Sequence, residues 1–148
     1  MDNTHSFSPG RILVVERDPA VARFVEFVLG NWEAFEVATI ADPAVALAWL
    51  GNEPWDLVLA DFELPATGVL DAMGLLEAIR ETEPTLPVAM MTAFPVTGPT
   101  ADQLRAADGY VTKPITPSHL IGLATGLIEQ SRRAQSHRAQ FNRQRPQP

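Results

Sequence analysis

The sequence contains no cysteine, and only one lysine and one tyrosine among 148 residues. Without cysteine there are no disulfide frameworks, thiolate zinc sites or cysteine nucleophiles. No apolar run approaches the ~20 residues of a spanning helix, and no basic-plus-apolar leader opens the chain. Neither a membrane span nor a signal peptide is therefore expected, and the cytoplasm is the expected location. Internal repeats and a glycine-rich phosphate loop are also missing, since Gly10 and Gly30 do not make a dinucleotide fingerprint. Basic residues are scarce in the body of the chain. All eighteen acids fall in residues 1–130 against six bases, while residues 131–148 hold Arg132, Arg133, Arg138, Arg143 and Arg145 and no acid. Net charge is −7. An acidic body argues against a nucleic-acid-binding core surface, so contact with nucleic acid is expected only through the tail.

What is present describes an ordinary globular chain, 46% hydrophobic and 20% charged, of the size of one domain. Arg11 to Val15 reads as a buried strand. Asp18-Pro19 then pairs an acidic N-cap with proline at the first helical position, and the helix is expected to stop near Gly30. Phe35 to Ile40 is a second strand. Asp42-Pro43 opens a helix through Leu50. Asp56 to Ala60 is a continuous apolar strand that ends on Asp61, with Pro65 bending the chain away. Leu70 to Glu81 is a helix with Leu70, Met73, Leu76 and Ile79 inward and Leu75 as a further candidate, and Pro87 to Met91 a fourth strand ending in Thr92-Ala93. Thr100 with Gln103 resembles a capping box for a short helix over Ala101 to Ala107. Gly109 to Lys113 is a fifth strand, and Thr116-Pro117 opens a final helix with Leu120, Ile121, Ala124, Leu127 and Ile128 on one stripe.

Strands alternating with helices predict a parallel sheet covered on both faces. The expected class is α/β, a flavodoxin-like (βα)5 doubly wound five-stranded sheet in the order 2-1-3-4-5. That topology brings the carboxyl ends of strands one, three, four and five side by side, with Glu16, Arg17, Asp18, Asp61, Thr92 and Lys113 around one shallow cleft. The combination suits phosphoryl chemistry: aspartate is a nucleophile toward phosphorus, and flanking carboxylates hold a hard cation such as Mg²⁺. A hydroxyl and an ammonium bond the oxygens of the transferred group. Taken singly, Asp61 also reads as a turn or capping aspartate, Thr92 as a strand threonine and Tyr110 as a half-buried core aromatic. His5, His119 and His137 show no metal-site spacing and read as surface residues.

At these residues the chain resembles the response regulator receiver family, CheY-like proteins of two-component signalling. The matches are Glu16 after the first strand, Asp56 through Asp61 with Pro65 around the third, Thr92-Ala93 ending the fourth, and Gly109 through Pro114 around the fifth. They span residues 11 to about 130. The resemblance implies that Asp61 is the phosphoacceptor, fed by a histidine kinase or histidine phosphotransfer protein, with Mg²⁺ as cofactor. It further implies that Thr92 hydrogen-bonds the phosphoryl group and Lys113 pairs with it, and that a cis bond to Pro114 aims the lysine. Tyr110 matches the aromatic that moves with Thr92, coupling the site to a target-binding face of helix four, strand five and helix five. Ala93 leaves access to the phosphoryl group. Such a protein is not an enzyme in the usual sense, because it turns over only its own acyl phosphate.

Two features depart from the family. The usual acidic pair after the first strand is Glu16-Arg17 here, and Asp18 sits at the capping position. A guanidinium near Asp61 repels Mg²⁺ and can pair with the carboxylate, so weakened or lost metal binding is expected. If instead Arg17 points to solvent, Glu16, Asp18 and Asp61 assemble the metal site. The second departure follows Pro65, where the family's glycine is matched either by Gly74, with a longer loop, or by Gly68. Three segments are expected: an arm over residues 1–10, a receiver over 11–130, and a basic Arg/Gln-rich tail over 131–148. The first part of that tail is expected to prolong the last helix and its end to be disordered. The expected function is a stand-alone receiver, a phosphorylation-dependent interaction switch without an output domain. The alternative is a pseudo-receiver adaptor working without phosphorylation because of Arg17, with nucleotide or nucleic-acid binding through the arginine tail.

Overall fold

A computed structural model describes residues 10–32, 35–64 and 70–146. Five strands and five helices alternate: β1 Arg11–Val15, α1 Pro19–Trp32, β2 Glu36–Ile40, α2 Pro43–Asn52, β3 Leu57–Asp61, α3 Ala72–Thr82, β4 Val88–Thr92, α4 Gly98–Leu104, β5 Gly109–Thr112 and α5 Pro117–Gln144. All strand pairs are parallel and the sheet order is β2-β1-β3-β4-β5, the expected doubly wound arrangement.

The period-two alternation of the central strands divides the core between two faces. Leu13, Val15, Val58 and Ala60 point toward α2 and α3, where Ala46, Leu50, Leu75, Leu76 and Ile79 meet them. Ile12, Val14, Leu57 and Leu59 point the other way, onto Val25, Val28 and Leu29 of α1 and Leu120, Ala124 and Ile128 of α5. Both sides of β3 and β4 are covered, so their apolar runs are continuous, and the first polar side chains after them mark the rim of the sheet. Gly109 permits a close approach: a Cβ there would lie 2.6 Å from Leu123 of α5, which seats that helix against β5.

Several boundaries differ from the sequence reading. β3 includes Asp61, while Asp56 uses its side chain to accept from the Arg11 N–H at 2.8 Å. α1 continues two residues past Gly30, and α2 runs to Asn52. α3 starts at Ala72, because Asp71 caps it by accepting from the Gly74 N–H at 2.8 Å; Leu70 precedes it, and Ala72, Leu75, Leu76 and Ile79 are its buried residues. Gly68 and Pro65 lie outside the described residues. α4 begins at Gly98 rather than Ala101, with Thr97 at its N-cap and Pro99 in its first turn, so no capping box forms on Thr100. The helix buries Leu104 alone, too little apolar surface for periodicity to mark its start.

α5 is 28 residues long and carries the basic tail as helix to Gln144, so the first part of the tail prolongs the last helix. Arginine, glutamine and alanine are good helix formers, and this propensity acts where apolar periodicity has ended. Beyond Ile128 the helix is mostly exposed; Arg132 lies 3.9 Å from Asp56, and the Arg145 guanidinium stacks over Phe141 at 5.6 Å. Among the described residues no helix is long and apolar enough to cross a membrane.

Candidate functional site

The carboxyl ends of β1, β3, β4 and β5 each deliver one polar residue to a common point. Glu16 extends the β1 ladder, its N–H donating to Ile40 at 3.0 Å, and is only 3% exposed. Asp61, the last residue of β3, is 7% exposed, and Thr92, the last of β4, is fully buried. Lys113 follows β5, and its N–H donates to the Thr92 carbonyl at 2.7 Å. The Lys113–Pro114 peptide is cis.

The lysine is the hub. Its Nζ donates to Glu16 Oε1 at 3.0 Å and to Asp61 Oδ1 at 3.1 Å, with its side chain 20% exposed. Asp61 Oδ1 also accepts from the Glu63 N–H at 3.0 Å. Both of these bonds fall on Oδ1.

Three carboxyl groups against one ammonium produce opposed protonation preferences. Burial, reinforced by Asp61, pushes Glu16 up to about 7, with Lys113 opposing. Burial acts in the same sense on Asp61, but hydrogen bonding from the neighbouring carboxyls and the Glu63 N–H, with the Lys113 charge, outweighs it and lowers this group. Glu63 is raised by burial and by Asp61. Lys113 is raised, its hydrogen bonds and the two carboxylate charges overcoming the effect of burial. At neutral pH the site thus keeps an ionised aspartate beside an ionised lysine, while Glu16 is close to its own titration.

Glu63 was not singled out in the sequence. It accepts from Thr92 Oγ1 at 3.0 Å through Oε1, and the Ala93 N–H donates to the same oxygen. Its Oε2 is buried without a hydrogen bond, as is Oε2 of Glu16. The signal available in the sequence was an acid two residues beyond the strand-end aspartate; what it lacked was the nonlocal fact that the turn after β3 lies over the end of β4. Phe62 and Phe94 bracket this turn, edge to face with ring centroids 6.4 Å apart.

The remaining expected residues are placed elsewhere. Asp18 is exposed and caps α1, accepting from the Ala20 N–H at 2.9 Å, because proline at position 19 fixes the chain for a helix start just there. Arg17 is exposed and forms no ion pair among the described residues, so it does not pair with Asp61. The expected trio of Glu16, Asp18 and Asp61 is accordingly not assembled: among the described residues no group of three or more His, Asp or Glu side chains is placed to hold a metal ion. Tyr110 is 39% exposed on β5.

The family model described as the response regulator receiver domain matches residues 12–125. The DNA-binding response regulator MtrA of Mycolicibacterium smegmatis is 37% identical over 112 residues, which cover 75% of this chain and 47% of that protein. The transcriptional activator protein PfeR of Pseudomonas aeruginosa is 31% identical over 137 residues, 89% of this chain and 42% of that one. The crystal structure of a CheY-like response regulator receiver domain protein from Methanospirillum hungatei superposes with a TM-score of 0.76 at 28% identity, covering 86% of this chain and 99% of that one. The chain spans about half the length of the curated relatives it matches.

Proposed function

The chain belongs to the response regulator receiver domain family of two-component signalling, and from that premise we propose that it is a phosphorylation-dependent protein-interaction switch whose phosphoacceptor is Asp61. The observation that carries this reading is the buried Asp61 carboxylate at the end of β3, held through Oδ1 by Lys113 at 3.1 Å. In the reaction an Asp61 carboxylate oxygen forms an O–P bond as the P–N bond of a partner phosphohistidine breaks. The imidazole nitrogen keeps the electron pair and takes up a proton. Lys113 stays within reach of the new phosphoryl oxygens, and Thr92 supplies a hydroxyl donor from the neighbouring strand. Tyr110, exposed on β5, lies on the face of α4, β5 and α5 where a downstream target would dock. The test is transfer of one phosphoryl group from a small phosphodonor, with Asp61→Asn as control.

Receiver domains generally bind Mg²⁺ at this position. The groups here fit it in reduced form: Mg²⁺ keeps several waters and is held by one or two carboxylates plus phosphate oxygens. Glu16, with its orphaned Oε2, and Asp61 would hold it. When bound, the ion neutralises charge on the phosphoryl oxygens. The third acid is lost to the cap on α1, and Arg17 contributes positive charge nearby. Calorimetry should therefore find Mg²⁺ affinity about tenfold higher in Arg17→Asp than in the native protein, the gain of one favourable charge interaction near a protein surface. Equal affinities would sink this assignment. Calorimetry is the suitable readout because Trp49 and Trp55 lie at the other end of the sheet, where Trp55 stacks under Arg11.

A second reading, a pseudo-receiver adaptor that works without phosphorylation, is favoured by Arg17 in the acidic pair and by Asp18 held at the cap. The same labelling experiment separates the two.

A further inference from the structure

The donors nearest Asp61 on β4 are already in use. The Thr92 hydroxyl has one proton, and it goes to Glu63 Oε1 at 3.0 Å, while Thr92 Oγ1 accepts from the Phe94 N–H at 3.0 Å. The Ala93 N–H, the next donor along the chain, points at the same Glu63 oxygen. Glu63 is fixed at its backbone too, since its N–H donates to Asp61 Oδ1. One carboxylate oxygen thus takes a hydroxyl and an amide from the end of β4, the strand paired with the one that carries Asp61, and the second oxygen, Oε2, is buried without a hydrogen-bond donor.

We propose that Glu63 is a built-in competitor for the phosphoryl group, an internal anion occupying the Thr92 and Ala93 donors that an external phosphate oxyanion must claim. The inference rests on the reading of Asp61 as phosphoacceptor for its biological meaning, though the competition itself is a property of the donors. Two anions cannot share one hydroxyl proton, so entry of a phosphoryl oxygen requires the Glu63 side chain to leave. The apparent affinity of the cradle for an oxyanion is then reduced by the fraction of molecules in which Glu63 occupies it. Departure of Glu63 would also free the turn after β3 and the Phe62–Phe94 pair beside it, giving the site a way to report occupancy on its own rim.

The experiment uses the full chain, labelled with nitrogen-15, as native protein, Glu63→Ala and Glu63→Gln. Inorganic phosphate is titrated while the Thr92 and Ala93 amide resonances are followed. The Ala93 amide proton should move upfield in Glu63→Ala, and phosphate should bind that variant at least about fivefold more tightly than the native protein. Glu63→Gln, which keeps the contact but not the charge, should fall between them and guards against a folding defect in the alanine variant. Equal phosphate response in all three, or an Ala93 amide indifferent to the substitutions, overturns the proposal. Labelling of Asp61 by phosphoramidate is measured in parallel. If no protein takes label while the phosphate responses differ as expected, the phosphoacceptor reading falls and the competition stands.

Discussion

Replacing Lys113 by alanine is expected to slow phosphorylation of Asp61 by about 100-fold or more, the cost of losing one preorganised donor to the transferred group. The same substitution should cost about 3 kcal/mol of stability at alkaline pH, because it leaves carboxylates buried without their cation. Both effects come from one atom: Nζ lies 3.0 Å from Glu16 and 3.1 Å from Asp61, whose side chains are nearly or fully buried. No other lysine is available to compensate. The stability loss should shrink toward acid pH, where Glu16 takes up a proton and no longer needs a partner. Urea unfolding across pH and initial labelling rates measure the two effects. A Lys113→Ala protein as stable and as readily labelled as native would remove the hub from this account.

The second large effect concerns Glu16. Its folded-state pKa, raised from 4.5 to about 7, means that the folded protein holds a proton the unfolded chain releases. Stability from this group is complete below about pH 4.5 and is lost as pH rises through about 7. Glu16→Gln should remove that dependence, making the variant more stable than native at about pH 8 by at most about 3 kcal/mol and little different at pH 5. The sign is the informative part: removing a carboxylate from the site stabilises the fold. A Gln variant less stable at alkaline pH would mean that Lys113 holds Glu16 ionised with net gain.

Most of the site was legible because its strands are buried on both sides. Continuous apolar runs end abruptly at Glu16, Asp61 and Thr92, and the topology that joins such runs is restricted by right-handed crossovers. Lys113 stood out through scarcity. The sequence reading of Asp18 contained the conflict that the structure resolves: an aspartate before proline can cap a helix or ligate a metal, and the cap wins because the backbone there is committed to helix. Glu63 was hidden for the opposite reason. Nothing local distinguishes it, and its role follows from how the turn after β3 meets the end of β4. The length of α5 was hidden as well, since helix propensity without apolar periodicity leaves no stripe to read.

Asp61 remains the point on which every other assignment turns. The most direct measurement is the intact mass of the full chain after incubation with a small phosphodonor and Mg²⁺, beside Asp61→Asn treated identically. The account predicts one phosphoryl group on the native protein, released by hydroxylamine as an acyl phosphate should be, and none on Asp61→Asn. A native protein that takes no label, or an Asp61→Asn protein that takes as much, would contradict it.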